Sequence, residues 1–157
     1  MTHLVLTGFM ASGKSTLARQ LHSSLKLPIF STDDWIEIQS KLSIGEIFSL
    51  YGEGEFREWE KEAYQEILKL KERCIVDCGG GFVLQGGIEK LGRVYYIDTP
   101  LEIIEQRLNV KEREKRPLSK DFRELYEKRK AFYKDFLKVK TLEEIMEDWK
   151  RINAPLP

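Results

Sequence analysis

The chain has 157 residues, 41% hydrophobic and 33% charged, which suits one globular domain with a substantial core and a wetted surface. Lys plus Arg and Asp plus Glu each count 26, so the formal net charge is zero and no global field draws in nucleic acid or an acidic membrane. No apolar run approaches bilayer length, and no basic stretch leads into a sustained apolar segment, which predicts a cytoplasmic protein and, with no evident apolar seam, a monomer.

His3 to Thr7 is the first predicted strand, and it delivers Gly8-Phe9-Met10-Ala11-Ser12-Gly13-Lys14-Ser15 into a helix from Ser15 to about Leu25. Glycine, four residues, then Gly-Lys-Ser between a strand and a helix reads as a phosphate-binding loop, because the backbone must turn tightly and aim its N–H groups at phosphate oxygens. Gly8, Ala11, Ser12, Gly13 and Thr16 form the cradle, Lys14 lies along the β- and γ-phosphates of ATP, and Ser15 offers its hydroxyl to Mg²⁺. Pro28 to Phe30 is a second strand, ending at Ser31-Thr32-Asp33-Asp34, with a helix from Asp33 to about Ser40. Ser43 and Glu46 form a capping-box pattern for a helix that ends near Gly52. Gly54 to Leu70 is long and amphipathic, with Phe56, Trp59, Ala63, Ile67 and Leu70 on one side.

Arg73 to Asp77 is a third strand running into Gly79-Gly80-Gly81, and Arg93 to Ile97 is a fourth. Helices follow over Leu101 to Leu108 and Asp121 to Lys134, then a weaker strand over Phe136 to Val139 and a last helix over Leu142 to Arg151. This alternation predicts an α/β fold, a parallel sheet with helices on both faces. Cys74 and Cys78 have neither metal nor redox spacing and read as small buried residues. His3 and His22 carry no assigned chemistry, and Trp35, Trp59 and Trp149 read as packing residues.

Ligands of such sheets sit beyond the carboxyl ends of the strands, which gathers the three loops that follow the first three strands. Asp33 or Asp34 would there take a proton from an attacking hydroxyl; equally, both acids would simply favour a helix N-terminus. The triple glycine removes side chains where backbone approaches a ligand, or else makes a plain turn.

Taken in order, Gly8 to Ser15, the Ser31-Thr32-Asp33 corner, Gly52-Glu53 with Phe56-Arg57 and Glu60, Gly79-Gly80-Gly81, Arg116-Pro117-Leu118, and Lys128-Arg129 with Tyr133 resemble shikimate kinase over nearly the whole chain. The resemblance implies transfer of the γ-phosphoryl group of ATP to the 3-hydroxyl of shikimate, with Mg²⁺, on the way to chorismate and the aromatic amino acids. It also implies a five-stranded parallel sheet of order 2-3-1-4-5 with a mobile lid, here about residues 110–120. Asp33 matches the aspartate that orients or deprotonates the attacking hydroxyl. Arg57 and Arg129 match the pair that clamps the shikimate carboxylate, a task suited to planar guanidinium forks. Gly79, Gly80 and Gly81 match the loop against the acceptor ring, and Phe48 and Phe56 its apolar walls. Arg116 matches the lid arginine that reaches the transferring phosphoryl group, and Arg107 a residue that stacks on adenine.

Three departures from the family pattern stand out. Ser31 occupies the place of an aspartate that helps hold Mg²⁺ through water, and Asp77 that of a small hydroxyl residue. Asp77 either takes over the metal-water contact, in the manner of a Walker-B carboxylate, or caps the glycine loop by accepting its N–H groups. The third departure is Lys138-Val139-Lys140-Thr141, which runs almost directly into the last helix and leaves little backbone over the base, predicting weak discrimination among purine triphosphates. The alternatives are another small-metabolite kinase, for gluconate or a nucleoside monophosphate, and a nucleotide-binding protein without catalysis. Neither accounts for Phe56-Arg57, the triple glycine and Arg129 together with Lys14, Asp33 and Arg116.

Overall fold

A computed structural model gives the architecture; it describes residues 2–111 and 122–155. Five parallel strands run in the order β2-β3-β1-β4-β5: β1 His3–Thr7, β2 Ile29–Ser31, β3 Ile75–Asp77, β4 Gly92–Ile97 and β5 Leu137–Val139. The helices are α1 Lys14–Leu25, α2 Thr32–Ser40, α3 Ile44–Lys69, α4 Leu101–Lys111, α5 Phe122–Tyr133 and α6 Leu142–Ile152. The predicted sheet and its order are present. The second, third and fifth strands are each displaced or shortened by a residue or two from their predicted ends, as is usual at element boundaries.

β1 lies at the centre, and every residue of it is buried. Because side chains alternate across a strand, Val5 joins the core built with α3, whereas Leu4 and Leu6 face α1 and α6 on the other side. A smaller cluster of Phe9, Met10, Ile104 and Tyr126 fastens the loop after β1 to α4 and α5. The three tryptophans pack against the two main clusters, and both cysteines are free and buried. Burial pushes the Cys74 thiol up to about 11, which makes it inert.

Two features depart from the expected elements. The helices predicted on either side of Gly52 run as one, α3, with a kink at Gly52, whose φ of 84° only glycine adopts readily. The helix expected to stop at Leu108 continues to Lys111, so the first two positions of the expected lid are helical; the rest, with Arg116, lies outside the described residues.

Far from the loops, Asp148 on α6 ties that helix to β4. Its carboxylate accepts two hydrogen bonds from Arg93 (2.9 and 3.0 Å), one from the Tyr95 hydroxyl (2.7 Å) and one from Arg151 (2.6 Å). These donors, Arg93 foremost, hold its pKa well below the ordinary carboxylate range.

Candidate active site

The three loops meet beyond the carboxyl ends of β1, β2 and β3. A cavity of about 790 Å³ opens over the phosphate loop and extends to Thr99, Arg107 and Lys140. A second cavity, of about 500 Å³, shares Ala11, Lys14 and Ser15 with the first and continues to Asp33, Asp77 and Gly80. The phosphate loop therefore lines two neighbouring chambers.

In the loop, Lys14 is buried, and its ammonium donates to the carbonyls of Gly8 and Phe9, both at 2.8 Å, and to Ser12 Oγ at 3.3 Å. A Cβ on Gly8 would come within 2.9 Å of Ser12 Oγ and 3.1 Å of the Ile97 carbonyl, so the turn closes only with glycine there. Two outside side chains fix the loop's carbonyls: Thr99 Oγ1 donates to Ser12 O at 2.7 Å, and Arg107 Nη1 donates to Ala11 O at 2.8 Å. Thr99 was not foreseen, because its role depends on β4 ending beside the loop.

The corner beside Ser15 gives Asp77 its partner. Ser15 Oγ donates to Asp77 Oδ2 at 2.8 Å. Burial raises the Asp77 pKa, against the lowering effects of the Ser15 hydrogen bond and the nearby Lys14 ammonium. Asp77 does not cap the glycine loop among the described residues: the Gly79 amide donates instead to Thr32 Oγ1 at 2.8 Å, and the Cys78 amide to Leu6 O at 3.1 Å. Ser31 faces Asp77 across the β2–β3 pair, but its hydroxyl is spent on capping α2, accepting from the Asp34 amide at 3.2 Å. Among the described residues, no three His, Cys, Asp or Glu side chains converge on a metal position. Mg²⁺ needs no such cage, since it takes one or two protein oxygens beside substrate phosphates and water, and the Ser15–Asp77 pair supplies hard oxygens of that kind.

The acceptor side is organised by the triple glycine, and each glycine lies under a different charged side chain. A Cβ on Gly79 would overlap the Asp33 carboxylate, one on Gly81 would overlap the Arg57 guanidinium, and one on Gly80 would lie 3.6 Å from Arg129 Nη1. The run therefore leaves room for the side chains of Asp33 and Arg57 at its two ends, whereas at Gly80 the tightest neighbour is the Met10 amide at 3.3 Å and Arg129 stands at ordinary contact distance. Arg57 Nη1 donates to Glu60, and its Nη2 donates to Glu53 at 3.1 Å. Burial disfavours the charged guanidinium, but the Glu60 and Glu53 carboxylates together outweigh it and the Arg57 pKa rises. Glu60 is buried, and burial raises its own pKa despite Arg57.

Arg129 is different. Only 5% of it is exposed, its guanidinium sits 5.6 Å from the centre of the Phe9 ring, and its buried Nε has no hydrogen-bond partner among the described residues. Burial, and then the like charge of Arg57, lowers its pKa. Tyr133, stacked on Tyr96 at 4.4 Å, donates to Gly80 O at 3.3 Å and braces the loop from below. Phe48 and Phe56 pack at 4.9 Å across the kink in α3, and Arg57 lies 5.4 Å from the Phe56 ring. Of the expected site residues, Ala11, Ser12, Gly13, Lys14, Ser15, Thr16 and Arg107 line the first cavity and Asp33, Asp77, Gly79 and Gly80 the second. Arg57 and Arg129 lie against Gly81 and Gly80, Gly8 closes the base of the phosphate loop, Phe48 and Phe56 line neither cavity, and Arg116 is outside the described residues.

Comparison with known proteins identifies the family and the fold. The family described as shikimate kinase matches residues 10–151. A shikimate kinase of Helicobacter hepaticus is 36% identical over 137 residues, spanning 85% of this chain and 82% of its own. One from Clostridium botulinum is 37% identical over 142 residues, spanning 85% of this chain and 83% of its own. In fold, the chain is similar to the shikimate kinase from Acinetobacter baumannii solved in complex with shikimate, with a TM-score of 0.83 and 24% identity over 97% of this chain and 93% of that one.

Proposed function

The chain belongs to the shikimate kinase family and is an ATP- and Mg²⁺-dependent phosphotransferase acting on a hydroxyl of shikimate, and we propose that its two chambers divide the work between nucleotide and acceptor. The observation that carries the assignment of the acceptor chamber is Arg129, a buried guanidinium whose Nε lacks a hydrogen-bond partner among the described residues. A buried cation is costly without an anion, and the carboxylate of the acceptor supplies one. Arg57 joins it from across the glycine run, sharing its fork among Glu53, Glu60 and the incoming carboxylate. Phe48 and Phe56 wall the ring, and Gly79, Gly80 and Gly81 bring the backbone under it.

On the nucleotide side, Gly8, Ala11, Ser12, Gly13 and Thr16 cradle the phosphates with the N-terminus of α1. Lys14 shifts from the loop carbonyls to the β- and γ-phosphates, and Arg107 packs against adenine from its place on Ala11. Ser15 and, through water, Asp77 hold Mg²⁺. That ion, when bound, neutralises charge on the phosphates. Asp33 faces the acceptor, orients its 3-hydroxyl and accepts its proton as the hydroxyl oxygen bonds to the γ-phosphorus and the bond to ADP breaks. On the family resemblance, Arg116, which lies outside the described residues, completes the charge stabilisation around the transferring phosphoryl group. The same reading takes residues 1–157 as one domain, acting as a cytoplasmic monomer without nucleic-acid or membrane partners; zero net charge and, among the described residues, no helix long and apolar enough to cross a membrane support it.

ADP release in the presence of Mg²⁺ tests the proposal, with shikimate, gluconate, a nucleoside monophosphate or no acceptor. Shikimate alone should stimulate turnover, and Arg129→Met should raise its KM by roughly 10- to 100-fold with little change in the KM for ATP. Stimulation by another acceptor, or an Arg129→Met enzyme with unchanged KM for shikimate, overturns it.

A further inference from the structure

We propose that Thr32 is a positioning residue for the transfer, acting through Gly79 and Asp33; the proposal rests on Asp33 being the group that takes the acceptor's proton. The pairing of β2 with β3 ends at Ser31 and Asp77. One residue further, the Cys78 amide still makes a regular rung to Leu6 O on β1; the Gly79 amide, which by the alternation of the strand faces the β2 side as the Ile75 amide does, finds β2 already ended there. Thr32 Oγ1 accepts it at 2.8 Å, from a side chain with no exposed surface.

Asp33, the next residue, presses its carboxylate against the Cα of the same glycine. Two consecutive side chains thus grip Gly79, one at its N–H and one at its Cα. The hydroxyl of Thr32 replaces a missing rung of the sheet and sets the separation between the loop after β2 and the glycine run. Arg129 and Arg57 lie against the next two glycines, so that separation also sets where the acceptor's carboxylate and its hydroxyl fall relative to Asp33.

Valine matches threonine in shape without the acceptor oxygen, and serine keeps the oxygen. Thr32→Val should lower kcat by about 10- to 100-fold while the KM for ATP stays within about twofold, and Thr32→Ser should recover kcat to within about threefold of the parent. If Thr32→Val does not fold by circular dichroism, Thr32→Cys against Thr32→Ser makes the same comparison, since a thiol is a weak acceptor. Unchanged kcat in Thr32→Val, a Thr32→Ser enzyme as slow as the valine or cysteine variant, or a KM for ATP that rises as far as kcat falls overturns the proposal. Asp33→Asn, measured alongside, separates this from the underlying reading: if that variant keeps full turnover, the role of Asp33 itself is wrong.

Discussion

Replacing each glycine of the 79–81 run by alanine should produce three different kinetic defects from one chemical change. None of the three has a left-handed φ, so alanine meets no backbone strain and the effects come from what the new methyl touches. At Gly81 the methyl would lie 2.5 and 2.8 Å from the two terminal nitrogens of Arg57, against an ordinary contact of about 3.6 Å, so the guanidinium must swing by about 1 Å. Arg57 ends a flexible chain, so stability should barely change. The lost alignment of a charge-assisted pair, roughly 1.5–3 kcal/mol, should raise the KM for shikimate by about 10- to 100-fold with kcat largely kept. At Gly79 the methyl overlaps the carboxylate of Asp33, whose short side chain on a capped helix start cannot swing aside. There kcat should drop by about 100-fold. At Gly80 the nearest atoms are Met10 N at 3.3 Å and Arg129 Nη1 at 3.6 Å, and the change should cost only a few-fold in KM. Steady-state kinetics with shikimate varied at saturating ATP, alongside Tm, reads all three. Equal defects in the three variants, or the greatest loss at Gly80, would refute the assignment of one functional side chain to each glycine.

Asp77→Ser should weaken the Mg²⁺ dependence of turnover by several-fold, and adding Ser31→Asp should restore part of it; a single variant with unaltered Mg²⁺ dependence removes Asp77 from the metal site. Only Lys140 separates the end of β5 from Thr141, the cap of α6, so GTP should serve with a kcat/KM within about tenfold of that for ATP, and a preference for ATP much beyond that contradicts the argument. Asp148→Ala should cost about 2 kcal/mol in urea unfolding without touching either KM, because it strands Arg93 and Tyr95; an unchanged midpoint would show that the cluster contributes nothing net. His3 is buried, accepts from the Cys74 amide through Nδ1 at 3.1 Å, and has its pKa lowered by that burial and by the nearby N-terminus and Arg73. The unfolded chain therefore binds the proton more readily. His3 should leave stability intact above pH 6.5, the unfolded value, and erode it as pH falls below that, and His3→Gln should flatten the loss between pH 7 and 5.

The features that could be read from residues alone were those that lie within one local pattern. The phosphate loop declares itself by spacing, and the strands by apolar runs, since a central strand such as β1 is buried on both faces. The order of the strands came from the resemblance, because no local pattern encodes which strand lies beside which. Thr32 and Thr99 escaped notice for a related reason: a threonine near a strand end has many uses, and theirs are set by loops 47 and 87 residues away in the chain. The triple glycine was recognised as a site of close approach, but what approaches it was not, because Asp33, Arg57 and Arg129 arrive from three separate helices. For Asp77, a contact to metal-bound water and a cap on the glycine loop were equally compatible with its position in the sequence; the fold sets its carboxylate on the Ser15 hydroxyl and gives the Gly79 amide to Thr32, which removes the cap and leaves the metal contact as a proposal.

The kink at Gly52 bears on how the acceptor pocket can be altered. Phe48 stands before it and Phe56 after it, so the aperture between the two rings is governed by the torsions of a single residue rather than by a loop. A Cβ at Gly52 would meet nothing within 4 Å. Resetting those torsions would therefore move Phe56, and Arg57 beside it, as one unit relative to Phe48, with no side chain in the way.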